Sequence, residues 1–109
     1  MATLYWVATG NPGTLKTSNT AANWNTSADG TGSTGTPSAN DHLVYGHPDT
    51  VAANKGFAAC NFNQALTLDE IVVYEDYDDA SKVLMTEKCV FSNSASTLTI
   101  ENGDFLQAG

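Results

Sequence analysis

Short apolar stretches separated by polar corners recur along the second half of the chain. Three loosely similar units, "LTL-DE-IVV", "VLM-TEK-CVF" and "LTI-ENGD-FLQ", start at Leu66, Val83 and Leu98. In each unit, two short apolar stretches flank a corner that contains an acidic residue. Alternating apolar and polar positions are typical of strands, because successive strand side chains point to opposite faces. The pattern therefore predicts a series of short strands.

Two β architectures explain this repeat. In a right-handed parallel β-solenoid, each unit is a coil stacked on the previous one, and inward side chains form ladders. In an antiparallel β-sandwich, the same strands pair as hairpins, which Asn102-Gly103 favours locally. Corners of two to four residues suit both arrangements. The residues predict an all-β fold, with short β-solenoid-like coils and the antiparallel sandwich as open alternatives.

The first half of the chain is less regular. Thr3 to Gly10 ("TLYWVATG") is rich in aromatic and β-branched residues and predicts a strand, which the turn signal Asn11-Pro12-Gly13 ends. From Thr14 to Phe57, Gly and Pro interrupt the chain and no apolar period of 3.6 residues occurs, so helices are not expected beyond one turn near "TSNTAANW". "DHLVYG", which starts at Asp41, predicts another strand.

These patterns predict one domain made of two parts. Residues 1–57 are expected to form an N-terminal β cap with a Gly/Ser/Thr-rich loop. Residues 58–109 are expected to form the solenoid-like strands and to pack with the cap as one domain. A total of 109 residues suits a single domain with one modest core.

Composition narrows the possible partners. The formal net charge is -8, and the four basic residues are all lysines. Nucleic-acid binding relies on clustered Lys and Arg to neutralise phosphates, so the composition argues against it. No stretch approaches the roughly 20 apolar residues of a membrane-spanning helix, and the start "MATLYWVATG" lacks the features of a signal peptide. We expect synthesis in a cytoplasm and no membrane partner.

Candidate chemical groups are few. The acidic segment at residues 75–79 lacks the Gly and Glu positions of an EF-hand, which favours a solvated loop over a calcium site. Cys60 and Cys89 lie in apolar stretches and are expected to be buried free thiols.

The two histidines match no metal or catalytic pattern. His42 and His47, with Asp41 and Asp49 nearby, do not have the spacing of a zinc site. The chain has no GxSxG sequence, and "GTGSTG" lacks the lysine of a phosphate-binding loop. We therefore expect no catalytic residues, no metal and no cofactor, and a structural or binding role.

Three motifs of the first half occur together in one class of protein. They are Tyr5-Trp6-Val7, the "T-x-x-N-W" element at Thr20 to Trp24, and "P-x-x-x-D-x-[VL]-x-[FY]" at Pro37 to Tyr45, with a Gly/Ser-rich stretch between the last two. This pattern resembles the N-terminal region of phage virion β-helical proteins of the head-fibre, capsid decoration and tail-fibre types. The resemblance covers residues 4–45 as motif and residues 58–109 as general style, and the usual second Trp of the opening motif is missing. The motif is moderately specific for architecture and weakly specific for function.

The resemblance implies a non-enzymatic virion structural protein. It implies a location on the outer capsid surface, as a decoration protein or the base of a head fibre, after synthesis in the host cytoplasm. The implied partners are the major capsid protein and further copies of the chain, in a homotrimer.

Two other functions stay open at this point. One is a tail-fibre or spike anchor segment. The other is a carbohydrate-binding β module that uses exposed aromatic side chains. The candidate aromatic residues are Tyr5, Trp6, Trp24, Tyr74 and Tyr77.

Four residues are structural or interface candidates. Trp6 and Trp24 are large enough to cover an end of a stack of strands, whose edges and apolar side chains are otherwise exposed. Asp41 is expected to bond backbone donors after Pro37, and Tyr45 ends the same motif. The closing sequence "DFLQAG" has no polar capping element, so a partner or further polypeptide is expected to cover that end.

Overall fold

The chain folds as a β-rich structure with very little helix. The computed structural model describes residues 2–10, 14–75, 77, 82–87, 89–92, 95–101 and 104–107. Within these residues, the strands in chain order are β1 (Thr3–Trp6), β2 (Leu15–Thr17), β3 (Trp24–Asn25), β4 (His42–Tyr45), β5 (Ala59–Phe62), β6 (Thr67–Leu68), β7 (Glu70–Val73), β8 (Lys82–Met85), β9 (Val90–Phe91), β10 (Thr97–Ile100) and β11 (Asp104–Gln107). A short α-helix, α1 (Pro48–Ala52), follows β4, and one 3-10 turn covers Ala21–Asn23.

The strands form three sheets that the chain visits in turn. The first sheet has the order β10-β7-β4-β1-β3, the second has the order β11-β8-β5-β2, and the third pairs β6 with β9. Among the described strands, the β1–β3 pair is antiparallel and the other pairs are parallel. Glu70 in β7 thus pairs with His42 in β4, which is 28 residues earlier in the sequence, and with Thr97 in β10, which is 27 residues later.

The structural repeat differs from the units that the sequence pattern suggested. The strands at the predicted positions are present, but each two-strand unit is divided between two sheets. β6 and β7 belong to different sheets, as do β8 and β9, and β10 and β11. The two strands of each unit therefore do not pair with each other as a hairpin. The first two sheets contain strands from both sides of residue 57, because β4 pairs with β7 and β2 pairs with β5.

Parallel pairing in register stacks similar side chains into ladders. Leu4, Leu43 and Ile71 are paired in successive strands of the first sheet, and all three are buried. Leu98 occupies the next position of this ladder, yet 45% of its surface is exposed. The core is therefore closed over the early strands and uncovered at the last one.

An aromatic cluster fills the core near β1 and β3. Trp6 and Trp24 are fully buried, and their rings meet edge to face with centroids 5.0 Å apart. Each indole N–H donates to a backbone carbonyl, Trp6 to Ala58 at 2.8 Å and Trp24 to Ser18 at 2.9 Å. The cluster thus buries large apolar rings without leaving an indole donor unpaired, which makes this geometry stabilising.

Tyr45 and Tyr77 extend this cluster. Their rings lie 5.8 Å apart, and the Tyr77 hydroxyl donates to the Ala58 carbonyl at 2.9 Å. Close packing of the Tyr77 backbone requires Gly46, which has a φ of 70° and whose added Cβ would lie 2.6 Å from the Tyr77 nitrogen. A side chain at this position would be strained by both the dihedral angle and the contact.

The Gly/Ser/Thr-rich segment is a folded loop organised by one buried side chain. Asn25 is 3% exposed. Its Oδ1 accepts from the backbone N–H groups of Ser27 and Gly32, both at 2.9 Å, and its Nδ2 donates to the carbonyls of Gly30 and Gly32. These bonds satisfy backbone groups of the loop and add to its internal backbone bonds, from Thr26 N–H to the Ser33 carbonyl and from Gly30 N–H to the Ser27 carbonyl.

The prediction that residues 14–57 lack an α-helix is wrong at Pro48–Ala52. The His47 ring accepts from the Asp49 N–H at 3.1 Å as a helix N-cap, and Pro48 occupies the first turn. Thr50 is buried, and its hydroxyl donates to the Ala28 carbonyl, which ties the helix to the loop. A helix of five residues is too short to show a 3.6-residue apolar period, so the sequence pattern does not indicate it.

Replacing Trp24 with Ala will lower the free energy of unfolding by about 3–5 kcal/mol, because it leaves a cavity in the aromatic cluster. Urea unfolding followed by far-ultraviolet circular dichroism measures this loss. The matched control is Leu15→Ala in β2, where the side chain is 50% exposed and the change should stay near 0.5 kcal/mol. Equal midpoints for Trp24→Ala and wild type would show that Trp24 does not fill the core.

Candidate functional site

The last strands leave an apolar surface uncovered. β10 and β11 are edge strands of the first two sheets, and β9 is an edge strand of the third. Four large apolar residues on these strands are 41–45% exposed. We call this surface the open end and define it by Val90, Phe91, Leu98 and Ile100. Apolar patches on an unprotected sheet edge are typical of interaction surfaces.

A shallow apolar cavity lies within the open end. Its volume is about 170 Å³. The lining residues comprise buried core positions, the half-buried Cys89 and three residues of the open end; they are Leu68, Ile71, Met85, Cys89, Val90, Phe91 and Leu98. The cavity is therefore an exposed continuation of the core, and apolar groups are the chemistry that it can accept.

Acidic side chains lie beside the open end. Glu101 directly follows β10 and is exposed, and its Oε1 accepts from the Glu75 backbone N–H at 3.2 Å. Glu87, between β8 and β9, is also exposed. The apolar surface thus has carboxylates near it, in keeping with the net charge of -8.

The two thiols are free and occupy different environments. Cys60 is fully buried and accepts from the Tyr45 hydroxyl at 3.4 Å. Burial raises the pKa of the Cys60 thiol to about 12. Cys89 is half-buried and donates to the Gln64 carbonyl at 3.2 Å, and partial burial raises its pKa as well. Both thiols are therefore protonated at neutral pH, which makes them poor nucleophiles.

A polar cluster lies where the start of β4 meets β7. His42 Nε2 is 3.0 Å from Asp69 Oδ2, and His42 Nδ1 is 3.3 Å from Glu70 Oε1. Ser92 donates to Asp69 at 2.5 Å, and Thr97 donates to Glu70 at 3.0 Å. Both ring nitrogens face carboxylates, and the Ser92 hydroxyl also bonds a carboxylate. In a hydrolytic triad the hydroxyl nucleophile bonds the imidazole, so this arrangement is different. The cluster instead links neighbouring strands.

The residues considered for a metal site lie apart. His42 bonds Asp69 and Glu70, whereas His47 caps α1 through the Asp49 N–H. Asp41 accepts hydrogen bonds from the backbone N–H groups of Ala2 and Ser38. Within the described part of the chain, no three His, Cys, Asp or Glu side chains are arranged to hold a metal ion. Of the acidic segment at 75–79, Asp76, Asp78 and Asp79 lie outside the described residues.

Asp41 holds two backbone segments together. It is 2% exposed. Its Oδ2 accepts from the backbone N–H of Ser38 at 2.9 Å and from the Ser38 hydroxyl at 3.2 Å. Its Oδ1 accepts from the Ala2 N–H at 2.9 Å. The carboxylate thus fixes the turn before β4 and joins it to the start of β1.

The structure brings together three of the four residues singled out in the sequence. Trp6, Trp24 and Tyr45 share the aromatic cluster, while Asp41 lies in the turn before β4. All four are buried and bonded within the chain, so their geometry supports a structural role. None of them belongs to the open end.

Sequence reasoning missed residues for two different reasons. Tyr77 was a candidate for sugar stacking, and Asn25 was assigned to a polar loop, although both are buried. The pattern at Leu98 and Ile100 predicted a strand correctly but gave no sign that its apolar face is exposed. An apolar side chain at the last position of a ladder looks the same in sequence as one in the middle.

Two aromatic residues from the predicted sugar-stacking set lie near the surface. Tyr5 and Tyr74 are half-buried and contact His47 from two sides, each with ring centroids 5.4 Å from the imidazole. Trp6, Trp24 and Tyr77 are buried. We call Tyr5, His47 and Tyr74 the surface ring group.

Comparison of the chain with protein-family models, with curated proteins and with solved structures finds no match. Among the described residues, no helix has the length and apolar character needed to cross a membrane. The assignment of function therefore rests on the residues and their geometry.

Stability will fall as the pH rises from about 9 to about 12, in part because of Cys60. Below pH 9 the thiol is protonated in the folded and the unfolded chain, so it adds no pH dependence. Between the unfolded and the folded pKa, the unfolded chain loses the proton while the folded chain retains it, which favours unfolding. Urea midpoints measured across this range for wild type and Cys60→Ala test the effect.

The difference in midpoint between wild type and Cys60→Ala should shrink as the pH rises. The variant retains Cys89 and the tyrosines that do not contact Cys60, so it controls for their titration. Because Tyr45 donates to Cys60 and its pKa is raised by burial and partly by Cys60, the difference reports this pair together. A constant difference over this range would contradict a buried, protonated Cys60.

Proposed function

We propose that this chain is a non-enzymatic structural protein of a bacteriophage virion, a capsid decoration protein or the base of a head fibre. We also propose that its fold is a short right-handed β-solenoid with an N-terminal β cap. The observation that carries the proposal is the stack of parallel strands whose last layer is apolar and uncovered. Such a surface is suited to joining another protein.

The strand order supports the solenoid. The chain passes through β4, β5 and β6 in three different sheets, returns to the first sheet at β7, and repeats the same order through β8 and β9. Connections between parallel strands of one sheet are almost always right-handed. β3 runs antiparallel along β1 and covers that edge of the first sheet, which supports a cap at this end.

The chemistry of the open end supports a binding role. Val90, Phe91, Leu98 and Ile100 present large apolar side chains next to a cavity that continues the core. Covering apolar surface is favourable by roughly 25 cal/mol per Å². The resemblance of the first half to phage virion β-helical proteins supplies the class of assembly, with the major capsid protein and further copies of the chain as the proposed partners. A tail-fibre or spike anchor segment remains the alternative.

One observation favours a second candidate function, carbohydrate binding. The surface ring group places two half-buried tyrosines around an imidazole on one side of the molecule. Aromatic rings with an exposed face suit stacking on the apolar faces of sugars, and the tyrosine hydroxyls add polar contacts.

The purified chain is expected to bind capsids of the phage that encodes it, prepared without this protein. Binding should cover the capsid in a stoichiometry that follows the capsomers, as measured by co-sedimentation and electron microscopy. An unrelated acidic protein of similar size sets the background. Binding confined to the tail or to one vertex supports the anchor instead, and no binding to any part of the particle overturns the virion assignment.

If carbohydrate binding is the function, glycan titration should shift the ring resonances of Tyr5, His47 and Tyr74 in NMR spectra. Tryptophan fluorescence is a poor readout here, because both indoles are fully buried. Tyr74→Ala should abolish the shifts, whereas Phe91→Ala at the open end is the matched control and should retain them. Unchanged spectra across a panel of surface polysaccharides would reject this candidate.

A further inference from the structure

We propose that the open end binds the open end of a second copy of this chain, with β10 of one copy paired antiparallel to β10 of the other. The inference rests on the proposed structural function and names one assembly contact within it. The contact is a two-fold dimer, in which the same surface is used by both copies, and it differs from the homotrimer that the resemblance implies.

The edge strand β10 lacks the usual protection against pairing. Its sequence is Thr97-Leu98-Thr99-Ile100, with neither a charge nor a proline. Natural edge strands commonly carry Lys or Pro, or are covered, because their unpaired N–H and C=O groups bind other strands. The opposite edge of the same sheet is different, since it ends in the two-residue strand β3 with a further bridge between Asn25 and Thr34.

The sequence of β10 is complementary to itself. When two antiparallel copies are centred on Thr99, Leu98 of each copy lies opposite Ile100 of the other. Thr99 then lies opposite Thr99 of the second copy. Apolar residues meet apolar residues on one face, and no like charges oppose each other within the strand. A shift by one residue would place Leu98 opposite Thr99 and break this match.

The outline of the open end is large enough for a stable dimer. The molecule measures 33 × 27 × 23 Å. Five strands about 4.8 Å apart span about 20 Å, so they stack along the shortest dimension and the open end lies on the face bounded by the other two. The outline of that face is roughly 900 Å², which is comparable with the ~800 Å² that each partner buries in a standard interface. The four residues that define the open end contribute large apolar side chains to it.

The charge of the chain predicts the salt dependence of this contact. Each copy carries a net charge of -8, and Glu87 and Glu101 lie near the open end. Repulsion between two copies is screened as ionic strength rises. The dimer should therefore tighten with added sodium chloride, whereas a contact based on opposite charges would weaken.

Sedimentation equilibrium of the full 109-residue chain tests the proposal. The expected mass is twice the 11.5 kDa of one chain. Leu98→Lys should give a monomer, because it places a charge opposite an apolar residue of the second copy. Leu15→Lys is the matched control, since Leu15 is also an exposed apolar strand residue but lies in β2, away from the open end. Circular dichroism verifies that both variants fold.

Amide hydrogen exchange provides a measurement that needs no variant. Protection of residues 97–101 should increase with protein concentration, whereas protection of residues 15–17 should not. A monomeric wild-type chain, a trimer, or equal dissociation by Leu98→Lys and Leu15→Lys would each overturn the proposal. Unchanged exchange at residues 97–101 would do the same.

The result can be separated from the test of function. A chain that binds capsids as a monomer, and loses binding in Leu98→Lys, uses its open end for a capsid protein. The virion assignment then stands and the second copy is rejected. If the chain is a dimer but binds no part of the particle, the contact between two copies stands and the virion assignment is rejected.

Discussion

The structure depends on parallel pairing between strands that are separated by one full circuit of the chain through the three sheets. Glu70 in β7 is aligned with His42 in β4 and with Thr97 in β10, at separations of 28 and 27 residues. A parallel pair cannot be closed by a tight turn, so the chain must cross the other sheets before it returns. The inward ladders, the polar cluster at His42 and the uncovered last layer all follow from this arrangement.

The long connections between strands are held by buried polar groups. Asn25 bonds four backbone groups in its loop, and Asp41 joins the turn at Ser38 to Ala2. A buried polar side chain is tolerated only when its bonds are satisfied, and both side chains meet this condition. Side-chain hydrogen bonds thus fix the path of a stretch rich in Ser, Thr and Gly, although it contributes little to the apolar core.

The strand positions could be predicted from the sequence, but their partners could not. Alternation at residues 66–73 and 83–91 reveals which side chains share a face, and the structure has strands there. A polar corner such as Asp69 serves equally well in a hairpin or between two sheets, so the pattern could not decide the pairing. α1 was missed because five residues are too few for helical periodicity, and the exposure of Leu98 depends on its place at the end of a ladder.

Because the antiparallel strand β3 covers one edge of the first sheet, a strand of another molecule can extend this sheet mainly at the opposite edge, β10. At one edge, the chain has used its own residues Trp24 and Asn25 to occupy the pairing positions of β1. β3 itself has two residues, and Asn25 already bridges to Thr34, so this edge has little backbone left for a further strand. In the terms of polymer synthesis, β3 acts as a chain terminator and leaves β10 as the long edge of this sheet. Repeated edge-to-edge addition into a fibre needs two such edges per molecule. Growth through this sheet therefore stops after one partner is added.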